Sequence, residues 1–175
     1  MRPKLQFPFP TPKEELVRVV KLLTNSNWIE DEYSLEAHTD SFEAWNSLLE
    51  VTHDFQKITP IMIRSIHGIL METRTTIPSS YKGTWRDYPI WIGGRENTYD
   101  YYTIDAMIKD WCKDVMEEGN TDFEQMHVRF EKIHPFADGN GRTGRILYGW
   151  HRLIHKRKIK PILLEDRNEY YKLFK

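Results

Sequence analysis

The stretch His134-Pro135-Phe136-Ala137-Asp138-Gly139-Asn140-Gly141-Arg142-Thr143-Gly144-Arg145 decides how this chain is read. It sets a titratable base, a carboxylate, three glycines and two arginines between two segments of helical pattern. Glycines let successive backbone N–H groups converge on an anion, and a helix beginning near Arg142 adds its positive end. Arg142 and Arg145 stand three apart on that first turn, so both can face the anion and offer forked donors to phosphate oxygens. Asp138 adds hard oxygen ligation suited to Mg2+, which usually reaches a protein through one or two carboxylates plus substrate phosphates. Together these residues form a phosphate cradle with a base beside it.

Other readings of the same letters fail on context. Gly139-Asn140-Gly141-Arg142-Thr143-Gly144 satisfies G-x-G-x-x-G, and Glu165 and Asp166 follow about 20 residues later, as in a dinucleotide-binding fingerprint. That fingerprint must follow a β-strand, whereas Met126, Phe130 and Ile133 recur at helical spacing up to a break at Pro135. A P-loop would need Lys-Ser/Thr, which is missing. A purely structural turn has no need of one His, one Asp and two Arg around the same glycines.

On the N-terminal side, Thr11-Pro12-Lys13-Glu14 has the form of a capping box with proline at the first helical position. Leu16, Val19, Val20 and Leu23 then predict a helix of about three turns. Thr24 to Ser34 is polar apart from Trp28 and Ile29, and Ser26 and Glu30, four apart, share one face of a short helical segment. Ser41 to Phe55 sets Phe42, Trp45, Leu48, Leu49 and Thr52 on one side, and Thr59-Pro60 restarts a helix through Ile63, Ile66, His67 and Leu70. From Ile77 to Asn97 the residues Pro78, Gly83, Pro89, Gly93 and Gly94 interrupt any helix, while Tyr88, Ile90, Trp91 and Ile92 favour extended chain. This predicts a short β-hairpin.

Thr103 to Glu118 reads as a helix stopped at Gly119-Asn120, and Thr121-Asp122-Phe123-Glu124 is a second capping box. Beyond the glycine loop, Ile146, Leu147, Trp150, Leu153 and Ile154 resume helical spacing, and Asp166 to Phe174 forms a last short helix. The expected fold class is mainly α with one small hairpin.

A length of 175 residues fits one domain, and 39% hydrophobic residues supply a core, which argues against intrinsic disorder. Lys+Arg 25 against Asp+Glu 26 leaves a net charge of -1, so no global field draws the chain to polyanions. The basic tract from His151 to Lys160 falls at a helix C-terminus, where cations are favoured, and nucleic acid is disfavoured as a partner. With the single Cys112 no internal disulfide is available, and no apolar run is long enough for a signal or a span. Cytoplasmic residence and no membrane partner are expected.

The segment His134 to Arg145 matches every fixed position of the Fic-family motif HPFx(D/E)GNGRxxR. The surrounding helices, and a Gly83 to Gly94 stretch similar to the Fic flap hairpin, extend the resemblance over most of the chain. It implies a Fic-type helical core and, most commonly, Mg2+-dependent transfer of AMP from ATP to a protein hydroxyl. On this resemblance residues 1–40 are an N-terminal extension and residues 41–175 the Fic domain.

By the same resemblance, His134 is the general base on a Ser, Thr or Tyr hydroxyl, and a neutral imidazole needs no special tuning slightly above a pKa of about 6.5. Asp138 holds Mg2+ across the α and β phosphates. Gly139, Asn140 and Gly141 form an anion hole, and Arg142 neutralises the departing pyrophosphate, which makes Asn140 and Arg142 catalytic partners of His134. Thr143, Gly144 and Arg145 complete the nucleotide contacts. Ile90, Trp91, Ile92 and Gly93 are expected over the nucleotide, and Tyr170 and Tyr171 resemble the adenine-side tyrosines of the family. The hairpin edge from Asp87 to Ile92 offers main-chain pairing to a strand of the target protein. Phe136 is expected below the loop in the core, and His127 as a packing residue.

Ser26-Asn27-Trp28-Ile29-Glu30 resembles the inhibitory motif (S/T)xxxE(G/N) of the class with an N-terminal inhibitor, with Asp31 where that motif has Gly or Asn. Glu30 is then expected to pair with Arg145 and take the arginine that orients the γ-phosphate. The family also admits removal of AMP with Glu30 aligning water, transfer of another phosphate-containing group, and a non-enzymatic nucleotide-binding module such as a toxin–antitoxin component. The chain ends at Lys175, short of the further C-terminal helix of many relatives, so the adenine pocket is expected to be incomplete or finished by another chain, as in a homo-oligomer.

Overall fold

A computed structural model describes residues 13–55, 57–92, 95–96, 99–117 and 119–174 of the chain. The capping residues Thr11 and Pro12, and Gly93 and Gly94 of the hairpin, lie outside them. Helix α1 (Lys13–Ile29) runs unbroken for 17 residues, so the short separate helix expected around Ser26 is its last turns. The cause is legible afterwards: no Gly or Pro interrupts the segment, and Val19, Leu22, Leu23, Ser26 and Ile29 continue one buried face. The helix ends at Asp31, whose φ of 59° is left-handed. Gly and Asn tolerate that conformation best, and Asp is among the few other residues that adopt it. The departure of Asp31 from the family pattern is therefore conservative in backbone terms.

Helix α2 (Leu35–Phe55) starts six residues before the expected Ser41. Ser34 Oγ accepts from Ala37 N at 3.1 Å and so caps it. Position 40/41 falls inside this helix. Helix α3 (Pro60–Leu70) begins as expected, with Thr59 accepting at Met62 N. After α4 (Ile104–Met116) comes α5 (Phe123–Ile133), capped by Asp122 rather than Thr121. Helix α6 (Asn140–Ile154) opens two residues earlier than Arg142, and α7 (Arg167–Lys172) closes the fold. Between α3 and α4, β1 (Trp91–Ile92) pairs antiparallel with β2 (Arg95–Glu96), Trp91 opposite Glu96.

Helix α6 is the axis of the molecule. Twelve of its 15 residues are buried, which marks a helix enclosed on nearly all sides. Helices α1, α3 and α5 pack on it, and α2 bridges α1 and α3. Trp45, Leu48, Ile63, Phe130, Leu147 and Trp150 meet in the core, and the Trp150 indole is satisfied by Thr52 Oγ1 at 3.0 Å. Among the described residues no helix is long and apolar enough to cross a membrane.

Gly149 is the contact that seats α1. A Cβ there would collide with Leu22 of α1 and stand 3.4 Å from Trp45 of α2. Gly149→Val is therefore expected to cost about 1–3 kcal/mol through overpacking, and to lower Tm by roughly 2–10 °C. Thermal unfolding followed by circular dichroism checks this, and an unchanged Tm contradicts the packing.

Candidate active site

Helix α5 ends at His134, which sits in the left-handed region at φ 49° while its N–H closes on Phe130 O. That cap turns the chain sharply and puts the imidazole at the mouth of the loop. His134 Nδ1 lies 3.0 Å from Glu131 O, and a carbonyl only accepts, so Nδ1 carries the hydrogen and Nε2 is the basic nitrogen. Burial holds the imidazole pKa below its ordinary value; the Glu131 carbonyl opposes this and Arg86 adds to it. A neutral ring ready to take a proton is the outcome.

The loop is closed by side chains bonded to its own backbone. Asn140 Oδ1 accepts from Phe136 N and its Nδ2 donates to Phe136 O, both at 2.8 Å. Thr143 Oγ1 donates to Gly139 O at 2.9 Å. Asn140 is thus a clamp and not a group that meets substrate with its side chain, and Thr143 is fully buried and spent on the loop. Gly144 faces away from the cradle, against Glu131 and Phe130. The nucleotide contacts expected of Thr143 and Gly144 are not seen, because on a helix opening at Asn140 positions 143 and 144 turn toward the core, whereas Asn140 lines the cavity described next.

A cavity of about 1000 Å³ opens over the loop, lined by Glu30, His134, Asp138, Gly139, Gly141, Arg142, Arg145, Tyr170 and Tyr171 among others. Arg142 is 3% exposed, its Nη2 rests 3.0 Å from Met71 Sδ, and its Nε has no partner. Burial pulls its pKa down, and no carboxylate among the described residues reaches it within ion-pair distance. A buried cation in that state is a receptor for an anion. Asp138 stands half-exposed at the same rim, its Oδ2 3.5 Å from Arg74 Nε. A half-exposed carboxylate at the rim could give one oxygen to a phosphate-bound Mg2+ in place of its contact with Arg74, and among the described residues no group of three or more His, Cys, Asp or Glu forms a cage.

Arg145, 1% exposed, is held from two helices. Its Nη2 donates to Glu30 Oε1 at 2.6 Å and to Ser26 O at 3.0 Å, its Nε to Ser26 Oγ at 2.9 Å, and its Nη1 to Tyr170 OH at 3.2 Å. The Glu30 carboxylate lies against Gly141, where any Cβ would strike it. Asp31 secures the same corner through a forked pair with Arg167 of α7 at 3.0 and 2.9 Å. Tyr171 lines the cavity with Tyr170. Ile90 and Trp91 do not, and Trp91 is 65% exposed, so these flap residues stand away from the cradle; Gly93 and the Ile92 side chain lie outside the described residues.

Residues 57–151 match the protein-family model described as Fic/DOC family. This chain belongs to the Fic/DOC family. Protein adenylyltransferase fic-1 of Caenorhabditis elegans is 27% identical over 132 residues, 71% of this chain and 25% of that protein. Protein adenylyltransferase Fic of Drosophila yakuba is 39% identical over 51 residues, 28% of this chain and 10% of the relative. The chain thus spans about a quarter of the length of the nematode relative. Among solved structures, a Fic domain containing signaling protein from Bacteroides thetaiotaomicron aligns with a TM-score of 0.70 and 20% identity over 93% of this chain and 74% of that one. Fic-1 of C. elegans aligns with a TM-score of 0.66 and 18% identity, over 91% and 55%.

Three residues of this Fic/DOC site escaped the sequence. His67 stacks on Phe136 with ring centroids 3.7 Å apart, accepts at Nδ1 from Gly83 N and donates from Nε2 to Asp138 O, both at 2.9 Å. Arg86 donates to His134 O at 2.9 Å. Glu131, buried, lines the cavity with Oε1 unpartnered. Burial pushes its carboxyl up to about 7 against the pull of Arg145, with Glu30 adding to the rise. Only the nearness of Glu131 to the motif was a signal; His67 read as one of a helix's apolar face, and Arg86 as a residue of the hairpin.

Burial depresses the imidazoles of His67 to about 4, His127 to about 3 and His151 to about 4, from an ordinary 6.5. Between 6.5 and those values the unfolded chain binds more protons than the folded one, so stability present above 6.5 is lost on acidification. Glu131 works the other way, holding its proton in the folded state up to about 7. Three imidazoles outweigh one carboxyl. The denaturant midpoint is expected to be lower at pH 5 than at pH 7, and an equal or higher value at pH 5 contradicts the neutral, buried state of these rings.

Proposed function

We propose that the chain is a protein adenylyltransferase held back by its own N-terminal helix, moving AMP from ATP to a Ser, Thr or Tyr hydroxyl of a target protein. One observation carries this reading: the basic nitrogen of His134 is set on the same cavity as Arg142, a buried cation that no carboxylate among the described residues meets within ion-pair distance. The names of the relatives agree with it. The cavity volume lies at the upper end of ordinary small-molecule sites, about 300–1,000 Å³, as an extended triphosphate requires.

The chemistry follows from positions. Arg142 and the N–H groups at the start of α6 would hold the phosphates, Asp138 would hold Mg2+ and Tyr170 and Tyr171 would flank the base. Mg2+, when bound, supplies charge neutralisation between phosphate oxygens. The target hydroxyl oxygen attacks the α-phosphorus as the bond to the bridging oxygen of the β-phosphate breaks. Its proton passes to His134 Nε2, and pyrophosphate departs toward Arg142. The flap residues expected over the nucleotide would fold onto it only as a target strand pairs with the hairpin edge; of these, Ile90 and Trp91 stand off the cradle. Two copies of the chain could share that surface in a homo-oligomer.

Label from α-³²P-ATP, and not from γ-³²P-ATP, is expected to become attached to protein, and His134→Ala should cut this by about 10²–10⁴ while leaving ATP binding largely intact. Attachment of the γ-label alone, or full activity of the variant, refutes the reading.

Glu30 would restrain the reaction by taking the donors of Arg145 that would otherwise orient the γ-phosphate. Glu30→Gly is expected to raise labelling by one to several orders of magnitude, each tenfold being worth about 1.4 kcal/mol of recovered positioning. Equal rates for the folded, ATP-bound variant and the parent would remove the inhibitory role and leave the chemistry of His134 standing.

A further inference from the structure

Arg86 is 2% exposed and lies outside the motif, yet it bonds directly to the loop that carries it. Its backbone N–H donates to Pro135 O at 2.9 Å, and its Nε donates to His134 O at 2.9 Å. The other two guanidinium nitrogens turn the opposite way. Nη1 donates to Tyr88 O at 2.8 Å and Nη2 to Tyr99 O at 3.2 Å. Tyr88 comes just before β1 and Tyr99 just after β2, so one planar group spans the mouth of the hairpin and grips the base residue with its remaining edge.

We infer that Arg86 is a positioning residue that couples the flap hairpin to His134, so that a target strand lying on the hairpin meets the base in one register. The inference rests on the transferase reading for its purpose and on the four carbonyls for its substance. His134 occupies a strained left-handed backbone, and such a residue persists only when its surroundings over-determine it. Phe130 O fixes its N–H and Arg86 fixes its carbonyl, which defines the peptide plane on both sides. Only an arginine can do this, because the guanidinium presents its donors in a rigid fork, whereas a lysine offers one point of charge on a flexible stem.

A residue serving stability alone would tie the loop to the core. Arg86 instead ties it to the hairpin, where Tyr88 is 37%, Trp91 65% and Tyr99 40% exposed. A displacement of the hairpin is therefore passed to His134 through two bonds of one side chain, and misplacing a base by about 1 Å costs on the order of 10² in rate.

The test compares Arg86→Lys and Arg86→Gln in the full chain, in a Glu30→Gly background, by amide hydrogen exchange and by α-³²P-ATP labelling. Exchange over residues 88–99 is expected to quicken about tenfold or more while α6 keeps its protection, and turnover to fall about 10- to 100-fold with the KM for ATP within about twofold of the parent. Lysine, which keeps the charge, should not rescue. Unchanged exchange across the flap, a KM for ATP rising in step with the lost turnover, or global unfolding of both variants would each assign Arg86 to ordinary structure and overturn the inference. Absence of labelling in the Glu30→Gly parent would defeat the transferase reading, and the exchange measurement would still decide the coupling.

Discussion

Arg145 is the point on which the rest of this structure turns. A guanidinium taken almost wholly out of water must have its donors met, and here they are met by Ser26 and Glu30 from α1 and by Tyr170 from α7. That requirement explains why α1 runs unbroken to Ile29, why Gly149 leaves room for Leu22, and why the C-terminal turn of α1 stops directly over the first turn of α6. Burial works against the charge of Arg145, but Tyr170, Glu30 and Glu131 together outweigh it and push its pKa further up, so the cation persists at any working pH. The same group is the natural partner of a terminal phosphate. On the proposed reading, structural satisfaction and ligand binding would compete for one set of donors.

Arg142 makes the contrast. It lies three residues earlier on the same helix face, equally buried, but with a thioether and, among the described residues, no carboxylate within ion-pair distance. One arginine of the cradle is filled from within the chain and the other waits. A nucleotide that neutralised Arg142 could enter without disturbing Glu30, and would then lie with its terminal phosphate displaced from Arg145. On the proposed reading, this geometry would separate binding of the nucleotide from its productive alignment, the restraint assigned to Glu30. Asp31 and Arg167 add a second, exposed tie at the same corner, where solvent screening keeps its contribution small.

Around the base the controlling feature is backbone, not charge. Asn140, Thr143, His67 and Arg86 each bond at least one polar side-chain atom to a carbonyl or amide of the loop from His134 to Asn140. Fixed carbonyls in turn fix tautomers: Glu131 O sets the hydrogen of His134 on Nδ1, and Gly83 N sets that of His67 on Nε2. The loop is thus held in shape by side chains bonded to its own backbone, with Arg86 tying it to the hairpin.

The residues from His134 to Arg145 determined much by themselves, because glycines, a base, a carboxylate and two arginines at those spacings have few uses other than a phosphate cradle, and because long periodic segments such as α3 and α4 announce their helices. Glu30 was also legible as a partner for Arg145. What the sequence left open was decided by contacts between residues far apart in the chain. Whether α1 broke near Ser26 depended on Leu22 and Ile29 finding α6, not on local propensity. Asn140 was expected as a catalytic partner, and that both of its side-chain polar atoms are used by Phe136 appears only in the folded chain. His67 and Arg86 carried no local signal, since their partners Asp138, His134 and Tyr99 lie 71, 48 and 13 residues away. Periodicity reports which face of an element is buried; only the tertiary structure reports which backbone groups that burial leaves in need of a partner, and therefore which side chains must supply one.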